Sequence, residues 1–200
     1  LALRFNPFLI VFARYISQLI LLLIIFNKQF KTHLKSNHKP LQILRGALLM
    51  ITTCFMFTGL AYLQFAQNIS IYMIGPVITT ILAILILKEK ISFTQIFVVI
   101  IGLIGALIIA SPNKGAFNYA VIFPFLAALC FAFFTISTKF LNTSDSNQTT
   151  LLFTAITGTI LSLPFIIYFW KWPNLNDAIL MFCLGFLATA GHFLFIEALK

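Results

Sequence analysis

One arginine interrupts an otherwise apolar stretch near the start of the chain, PFLIVFARYISQLILLLIIF. Arg14 is followed by Tyr15, and Gln18 lies one helical turn further along. A guanidinium offers five N–H donors in a planar fork that suits a carboxylate. We therefore predict that Arg14, Tyr15 and Gln18 line a substrate pathway inside the protein. The alternative is that Arg14 extends along its aliphatic stem to a lipid headgroup.

A second set of candidates lies in the stretch ISIYMIGPVITTILAILIL. Tyr72, Pro76 and Thr79 recur at helical spacing and therefore share one face of a helix. Pro76 has no N–H, so a helix should bend or break there and leave a carbonyl oxygen without its usual donor. Interrupted membrane helices often border binding sites, and we predict that these three residues line the same pathway. The alternative is a bend with no role in binding.

Two ionisable residues occur in the last apolar stretch, His192 and Glu197. Their separation of five residues places them about 140° apart around a helix, so they should not share one small site. His192 is the deeper residue and is a further pathway candidate, with a hydrogen-bonded packing role as the alternative. Glu197 is expected to cap the membrane interface.

The remaining motifs predict structure rather than catalysis. The sequence contains no HExxH motif, no GxSxG motif and no two acidic residues within one apolar stretch. The three cysteines lie inside apolar stretches, where they resemble small buried residues. We therefore predict no catalytic residue, no metal site and no cofactor, and a protein that is not an enzyme. Gly102, Gly105 and Ala106 predict a seam of close helix packing.

The elements that would position these residues are membrane helices. Of the 200 residues, 61% are hydrophobic and 8% are charged. A water-soluble domain needs about a quarter of its residues charged, and a helix needs about 20 apolar residues to cross a bilayer. We therefore predict an all-α integral membrane protein. Seven stretches are long and apolar enough: Pro7–Phe26, Gly46–Ala66, Ile69–Leu87, Phe93–Ala110, Tyr119–Ser137, Leu151–Trp170 and Ala178–Leu199.

The basic residues lie mostly at one set of helix ends, which argues against a nucleic-acid partner despite the net charge of +9. If the seven helices alternate in direction, nine basic residues fall on one side and three on the other. Short basic loops are typical of the cytoplasmic side, and this is where we place the larger set. That set comprises Lys28, Lys31, Lys35, Lys39, Arg45, Lys88, Lys90, Lys139 and Lys200. The turn at Gln67 and Asn68 is then predicted to be external.

A weak internal repeat points to a more specific architecture. A shift of about 140 residues superimposes the first predicted helix on the sixth, and the two then cross the membrane in opposite directions. The second and seventh predicted helices show the same relation. This pattern is typical of an inverted-topology repeat.

Several motifs in sequence order resemble a known family. They are LQILRGALL, GLAYLQFAQ, GPVITTILAILILKEKISFTQ and GLIGALIIASP, with FARYISQLILLL before them and GHFLFIEALK near the end. The segment from Pro40 to Pro112 resembles one EamA domain of the drug/metabolite transporter (DMT) superfamily. The resemblance implies a ten-helix bundle built from two inverted five-helix repeats. Residues 1–112 would hold helices two to five, and residues 113–200 helices six to eight, so the sequence is expected to be a fragment.

The resemblance implies a function as well as a fold. A member of this family would be a multi-pass secondary transporter that moves a small organic metabolite across the bacterial inner membrane. An amino acid or derivative, an S-adenosylmethionine-like compound and a vitamin-like compound all fit. The expected partners are this substrate and the lipid bilayer, and pairing as a homodimer stays open. The alternatives are a membrane receptor or scaffold without transport, and a membrane enzyme.

Overall fold

A computed structural model describes residues 4–88, 92–110 and 119–199 of the chain. Throughout these residues the regular structure is helical and contains no strand, which confirms the all-α fold class. The α-helices are α1 (Pro7–Phe26), α2 (Phe30–His33), α3 (Lys39–Tyr62), α4 (Phe65–Tyr72), α5 (Gly75–Leu87), α6 (Phe93–Ala110), α7 (Ile122–Leu141), α8 (Asn147–Phe169) and α9 (Leu175–Ala198). Single 3₁₀ turns at Asn27–Gln29 and Tyr119–Val121 precede α2 and α7.

Six spans in the described part of the chain are long and apolar enough to cross a membrane, with α4 and α5 counted together as Phe65–Leu87. The others are α1, α3, α7 with its preceding turn, α8 and α9. The seventh predicted span forms α6 with the predicted bounds, but its apolar part within the described side chains is only Ile96–Gly105. The described residues therefore establish six potential spans.

Polar residues set the starts of several helices. Asn6 caps α1 by accepting a hydrogen bond from the Phe8 N–H, and Pro7 occupies the first helical position, where its missing N–H costs nothing. Ser146 and Asn174 cap α8 and α9 in the same way. These caps satisfy N–H groups that would otherwise be left without acceptors.

The second predicted helix is displaced in sequence. Helix α3 begins at Lys39 rather than Gly46 and ends at Tyr62 rather than Ala66. The predicted turn at Gln67 and Asn68 is therefore wrong, because both residues lie inside α4 and the connection is made by Leu63 and Gln64. Proline is tolerated in the first turn of a helix, so Pro40 does not prevent the early start.

The predicted interruption near Pro76 is confirmed. Helix α4 ends at Tyr72, Met73 and Ile74 form a turn, and α5 begins at Gly75 with Pro76 in its first turn. Because Pro76 has no N–H, this turn breaks the helix at the position that the sequence indicates. The Thr80 hydroxyl donates to the Pro76 carbonyl oxygen at 2.8 Å.

The chain divides into two compact units: the first is Leu1–Met50 with Ser137–Lys200, and the second is Ile51–Ile136. In the first unit α1 packs against α8 and α9. Its apolar core contains Leu22, Leu151, Leu152, Ala155 and Ile196. The close approach of these helices depends on glycine, because a Cβ atom at Gly185 of α9 would lie 3.0 Å from the Arg14 carbonyl oxygen of α1.

Aromatic rings contact one another in the second unit. The ring of Phe123 lies against Phe55 and Tyr62, with centroids 6.4 and 6.1 Å away. Between α4 and α6 lies an open groove of about 420 Å³. Gly102 and Gly105 line it, and no atom lies within 4 Å of a Cβ built on either residue. Within the described residues the predicted close packing at these two glycines is therefore not found. The side chain of Ala106, the third residue of the predicted seam, lies outside the described part of the chain.

Candidate functional site

Arg14 and His192 are in direct contact, although 178 residues separate them in sequence. Nη2 of Arg14 on α1 lies 2.6 Å from Nε2 of His192 on α9. The two side chains are half-buried, and the Arg14 guanidinium carbon also lies 4.9 Å from the centre of the Tyr15 ring. The absence of a side chain at Gly185 lets α1 and α9 approach closely enough for this contact. Arg14 is thus held inside the first unit.

Tyr15 occupies a space that a glycine provides. Its side chain is fully buried, and a Cβ at Gly158 of α8 would lie 2.3 Å from Cδ1 of the Tyr15 ring. Any other residue at this position would push the ring aside. The ring is therefore clamped between α1 and α8, next to Arg14.

Gln18 is fully buried, and neither its amide nitrogen nor its amide oxygen has a hydrogen-bond partner. Burying an amide without partners costs about 1–3 kcal/mol for each unsatisfied group. Such a cost is typical of a position where a ligand or an ordered water completes the hydrogen bonds. Gln18 therefore offers both a donor and an acceptor one turn from Arg14.

Arg45 is the principal residue that the sequence analysis assigned incorrectly. It was counted among the basic residues outside the membrane, yet it lies in α3 and its side chain is fully buried. Its Nε donates to the Thr138 hydroxyl at 2.6 Å, and its Nη1 donates to the Thr154 hydroxyl at 2.5 Å and to the Thr150 carbonyl oxygen at 3.3 Å. One guanidinium therefore connects α3, α7 and α8.

Arg45 also belongs to the same electrostatic environment as the predicted residues. It lies close enough to Tyr15 and His192 for their charges to interact. Together, Arg14, Tyr15, Arg45 and His192 form a polar cluster, in which Tyr15 and Arg45 are fully buried and Arg14 and His192 are half-buried. Gln18 lies one turn from Arg14. Two guanidinium groups make this cluster suited to an anionic group.

A local signal for Arg45 is present in the sequence. Gln42 and Arg45 are three residues apart, so they extend one polar face back along the helix from the apolar stretch. Gly46 follows, and a Cβ there would lie 2.7 Å from Cβ of Thr157 on α8. A glycine next to an arginine at the start of an apolar stretch thus indicates close packing around a buried cation.

A second polar network joins two loops near the start of α3. The carboxylate of Asp145 accepts hydrogen bonds from the Ser36 hydroxyl, the Asn37 N–H at 3.1 Å and Nε2 of Gln42 at 2.8 Å. Nε2 of Gln42 also lies 3.2 Å from the Thr150 hydroxyl oxygen. This network connects the loop before α3 to the loop between α7 and α8.

The charge on Asp145 is stabilised by its surroundings. Partial burial alone would raise the pKa of the Asp145 carboxyl. Hydrogen bonds from Ser36, Gln42 and Asn37, together with the charge of His38, outweigh this effect and lower the pKa below its ordinary value. Asp145 is therefore an ionised acceptor at neutral pH.

The other predicted pathway residues lie in the second unit. The Tyr72 ring is 5.7 Å from the Phe131 ring, Pro76 is exposed, and Thr79 is half-buried. Glu197, in the last turn of α9, accepts a hydrogen bond from the Asn147 side chain. Of the seven pathway candidates, Arg14, Tyr15, Gln18 and His192 lie together in the first unit. No group of three His, Cys, Asp or Glu side chains suited to a metal occurs within the described chain.

Comparison with known proteins identifies the family. Residues 1–111 match the EamA-like transporter family. The chain belongs to this family. Its fold agrees with a solved structure that superimposes with a TM-score of 0.80 over 98% of this chain and 71% of the other, at 14% sequence identity. The resemblance inferred from the EamA motifs is thus confirmed.

Curated relatives of this EamA-family chain are named transporters. The chain is 29% identical over 197 residues to an S-adenosylmethionine uptake transporter of Rickettsia prowazekii, covering 98% of this chain and 66% of that protein. The corresponding protein of Rickettsia bellii is 30% identical, with 98% and 67% covered. A riboflavin transporter of Vibrio cholerae is 31% identical over 133 residues, with 66% and 45% covered. The chain therefore spans about two thirds of the length of the first two relatives.

Proposed function

We propose that the complete protein is a secondary transporter of a small organic metabolite that carries a carboxylate. The observation that carries the proposal is the partly buried contact between Arg14 and His192 in a chain of the EamA-like transporter family. A cation inside a membrane span is costly, about 2.5–3.5 kcal/mol on insertion scales, so such residues usually serve a pathway or a partner. The same observation makes a role in transport a better explanation for Arg14 than an interaction with lipid headgroups.

The chemistry of the cluster favours an amino-acid derivative over a flavin. The planar fork of Arg14 suits a carboxylate, and the buried amide of Gln18 supplies one donor and one acceptor. S-adenosylmethionine carries a carboxylate, whereas riboflavin does not. We therefore propose an S-adenosylmethionine-like substrate, in agreement with the names of the two Rickettsia relatives. Tyr15 and His192 would contact it beside Arg14, and Tyr72, Pro76 and Thr79 stay pathway candidates within the second unit.

The proposed architecture is a ten-helix inverted repeat in the bacterial inner membrane, with α6 as a further crossing. The family match over residues 1–111 and the length of the relatives support one repeat up to about residue 112 and part of a second in residues 113–200. Strongly exposed apolar side chains support contact with lipid, among them Ile24, Leu85 and Ile167, which are 68%, 69% and 82% exposed. The transporter names of the relatives support a protein that is not an enzyme.

The proposed sidedness survives the reassignment of Arg45. Without it, eight basic residues remain on the proposed cytoplasmic side against three on the other. Lys35 and Gln64 are exposed and lie on opposite sides in this topology, so single cysteines at these positions report it. In intact cells an impermeant thiol reagent should label Gln64→Cys but not Lys35→Cys; the reverse pattern would invert the topology.

Transport is tested with the complete protein in liposomes, by exchange of internal S-adenosylmethionine for the labelled compound. Arg14→Gln should nearly abolish exchange, because it removes both charge and fork, and Arg14→Lys should reduce it, because only the fork is lost. Arg4→Gln is the control, since Arg4 is 67% exposed and lies 3.7 Å from Asp177 outside the cluster. Parental exchange by a correctly inserted Arg14→Gln protein would remove Arg14 from the pathway.

A further inference from the structure

The contact between Arg14 and His192 fixes the protonation state of the histidine. Every nitrogen of a guanidinium is a donor, so at 2.6 Å the Nε2 atom of His192 is the acceptor. A histidine that accepts at Nε2 carries its proton on Nδ1 and is neutral. The described structure therefore holds His192 as the Nδ1–H tautomer, with its only remaining proton-binding atom occupied by Arg14.

From this geometry we propose that His192 is the proton-coupling site of the transporter. Nε2 gains a proton only when Arg14 turns from His192 to the carboxylate of the substrate. The inference rests on the proposed function and extends it by naming the coupled ion. Arg14 and Nε2 cannot remain hydrogen-bonded once Nε2 carries a proton. The contact therefore has two states: Arg14 bonded to a neutral His192, and Arg14 bonded to the substrate beside a protonated His192.

The charges around His192 make proton binding depend on the substrate. Arg14 faces it from α1, where Tyr15 is the other ionisable residue, and Arg45 acts on it from α3. The one ionisable residue of α8 is Tyr168, which is 84% exposed. On α9 itself the other ionisable residues are Asp177, Cys183 and Glu197, and Glu197 lies about 140° around the helix.

An imidazolium beside two guanidinium groups is unfavourable without an anion between them. A substrate carboxylate at this position supplies the anion, so it favours the protonated form of His192. By linkage, the proton then strengthens binding of the carboxylate by the same factor, typically 5- to 150-fold for such couplings. Proton and substrate should consequently bind together and be released together.

Gln18 provides independent support for a ligand at this position. Its amide is fully buried and unpartnered, one helical turn from Arg14. A bound carboxylate can accept from this amide at the same time as it draws Arg14 from His192, and an amine of the same substrate can donate to the amide oxygen. The transport cycle then carries one proton from the entry side to Nε2, and returns it to water on the exit side when the Arg14–His192 hydrogen bond re-forms.

The first test reads the tautomer and does not depend on transport. The complete protein, labelled with ¹⁵N-histidine in liposomes, is studied by solid-state NMR at pH 7.5 without substrate, and His192→Gln assigns the signal by difference. We expect the Nδ1–H tautomer for His192 and its conversion to an imidazolium when S-adenosylmethionine is added. An Nε2–H tautomer, or an imidazolium before addition, overturns the proposal. His38→Gln is the control, because His38 is exposed.

The second test measures coupling. In liposomes with an inwardly directed proton gradient, the parental protein should accumulate S-adenosylmethionine several-fold above its level without a gradient, up to the ratio of the proton concentrations on the two sides. In His192→Gln the gradient should no longer raise the accumulation of S-adenosylmethionine, whatever the absolute rate of exchange. If His192→Gln is inactive, a second measurement replaces it: proton uptake when substrate binds to the parental protein, read with a pH dye in weak buffer. Uptake of about one proton per substrate supports the proposal, and the absence of uptake refutes it.

The outcomes separate the two proposals. A parental protein that shows no exchange, yet has the expected tautomer, contradicts the proposed transport of S-adenosylmethionine. A parental protein that exchanges S-adenosylmethionine without any effect of the gradient contradicts proton coupling alone. Gradient-driven accumulation by His192→Gln would also contradict the assignment of proton coupling to His192.

Discussion

Among the described residues, the two units of the chain differ in the charged groups that they bury. The first unit buries Arg45 and Gln18, and its Arg14–His192 contact joins two helices through charge and hydrogen bonds. The second unit packs aromatic rings against one another, and its α4–α6 groove is open beside Gly102 and Gly105. Both units consist of apolar helices, so hydropathy alone does not distinguish them. The buried arginine and its partners make the first unit the proposed place of recognition.

Helix α8 shows how the first unit accommodates polar groups at low cost. Thr154, Thr159 and Ser162 donate to backbone carbonyls four residues earlier at 2.6–2.8 Å. Each hydroxyl donor is thereby satisfied within its own helix, and its oxygen can still accept a bond. Thr154 uses this second capacity to accept from Arg45. The polar face of α8 is therefore a built-in acceptor surface for a buried cation.

Replacing Arg45 should give the largest loss of stability. Arg45→Met fits the same space but removes three donated hydrogen bonds, and bonds from a charged group contribute about 1.5–3 kcal/mol each. Methionine carries no charge, so the desolvation cost of the buried guanidinium disappears and offsets part of this loss. We therefore expect the free energy of unfolding to fall by about 2–4 kcal/mol. Denaturation of the complete protein in mixed micelles measures it.

The matched control for that experiment is Arg4→Met. Arg4 is 67% exposed and pairs with Asp177 at 3.7 Å, so its removal should cost at most about 1 kcal/mol. If the two variants denature at the same point, Arg45 does not hold α3, α7 and α8 together. The comparison between the units would then lose its strongest element.

Glycine substitutions test the packing difference directly. A Cβ at Gly185 would lie 2.5 Å from Ser17 Cβ and within 3.0 Å of two backbone atoms of α1, so Gly185→Ala must push the helices apart. Overpacking of this kind costs about 1–3 kcal/mol. Gly191→Ala in the same helix and Gly102→Ala in the second unit meet no atom within 4 Å and should change stability by less than about 0.5 kcal/mol.

The two variants in α9 also sharpen the comparison through function. Gly185→Ala should also weaken substrate exchange, because it separates Arg14 from His192, whereas Gly191→Ala should leave the helix spacing unchanged. Thermal denaturation and exchange in liposomes provide the two measurements. Equal stability of Gly185→Ala and Gly191→Ala would show that α1 and α9 are not in close contact.

Much of the fold could be predicted because apolar length is a local property. The bounds of α1 and α6 agree with the sequence analysis, and Pro76 correctly marked the break before α5. The start of α3 could not be predicted, because Lys39 and Arg45 suggest a loop to any hydropathy measure. The cost of burying an arginine there is compensated by hydrogen bonds to acceptors on α7 and α8, which are far away in sequence.

The candidate site was predictable to a similar degree. Arg14, Tyr15 and Gln18 followed from their spacing on one helix, and His192 from its depth in another. Their meeting could not be deduced, because it depends on the helix approach at Gly185. Asn68 illustrates the same limit: it was predicted in an external turn but is fully buried, and its Nδ2 donates to the Met56 carbonyl oxygen at 3.2 Å.

The smallest expected effect concerns the loop network around Asp145, which lies outside the membrane spans. Three donors converge on its carboxylate, and an asparagine has only one acceptor oxygen to offer them. Asp145→Asn should therefore lower stability at pH 7 by about 1 kcal/mol, since exposure to solvent limits the effect. Lys35→Gln, an exposed neighbour of Ser36, is the control and should be neutral.

The pH dependence of this loss has a definite sign. Because the pKa of Asp145 is lowered in the folded protein, its carboxylate contributes stability at pH values above the unfolded pKa of about 3.9. That contribution is lost as the pH falls through the folded value. The difference in melting temperature between the parental protein and Asp145→Asn should thus be full at pH 6–7 and shrink below about pH 4. A difference that stays constant from pH 7 to pH 3 would mean that the three donors do not stabilise the charge, and that the two loops are joined by some other contact.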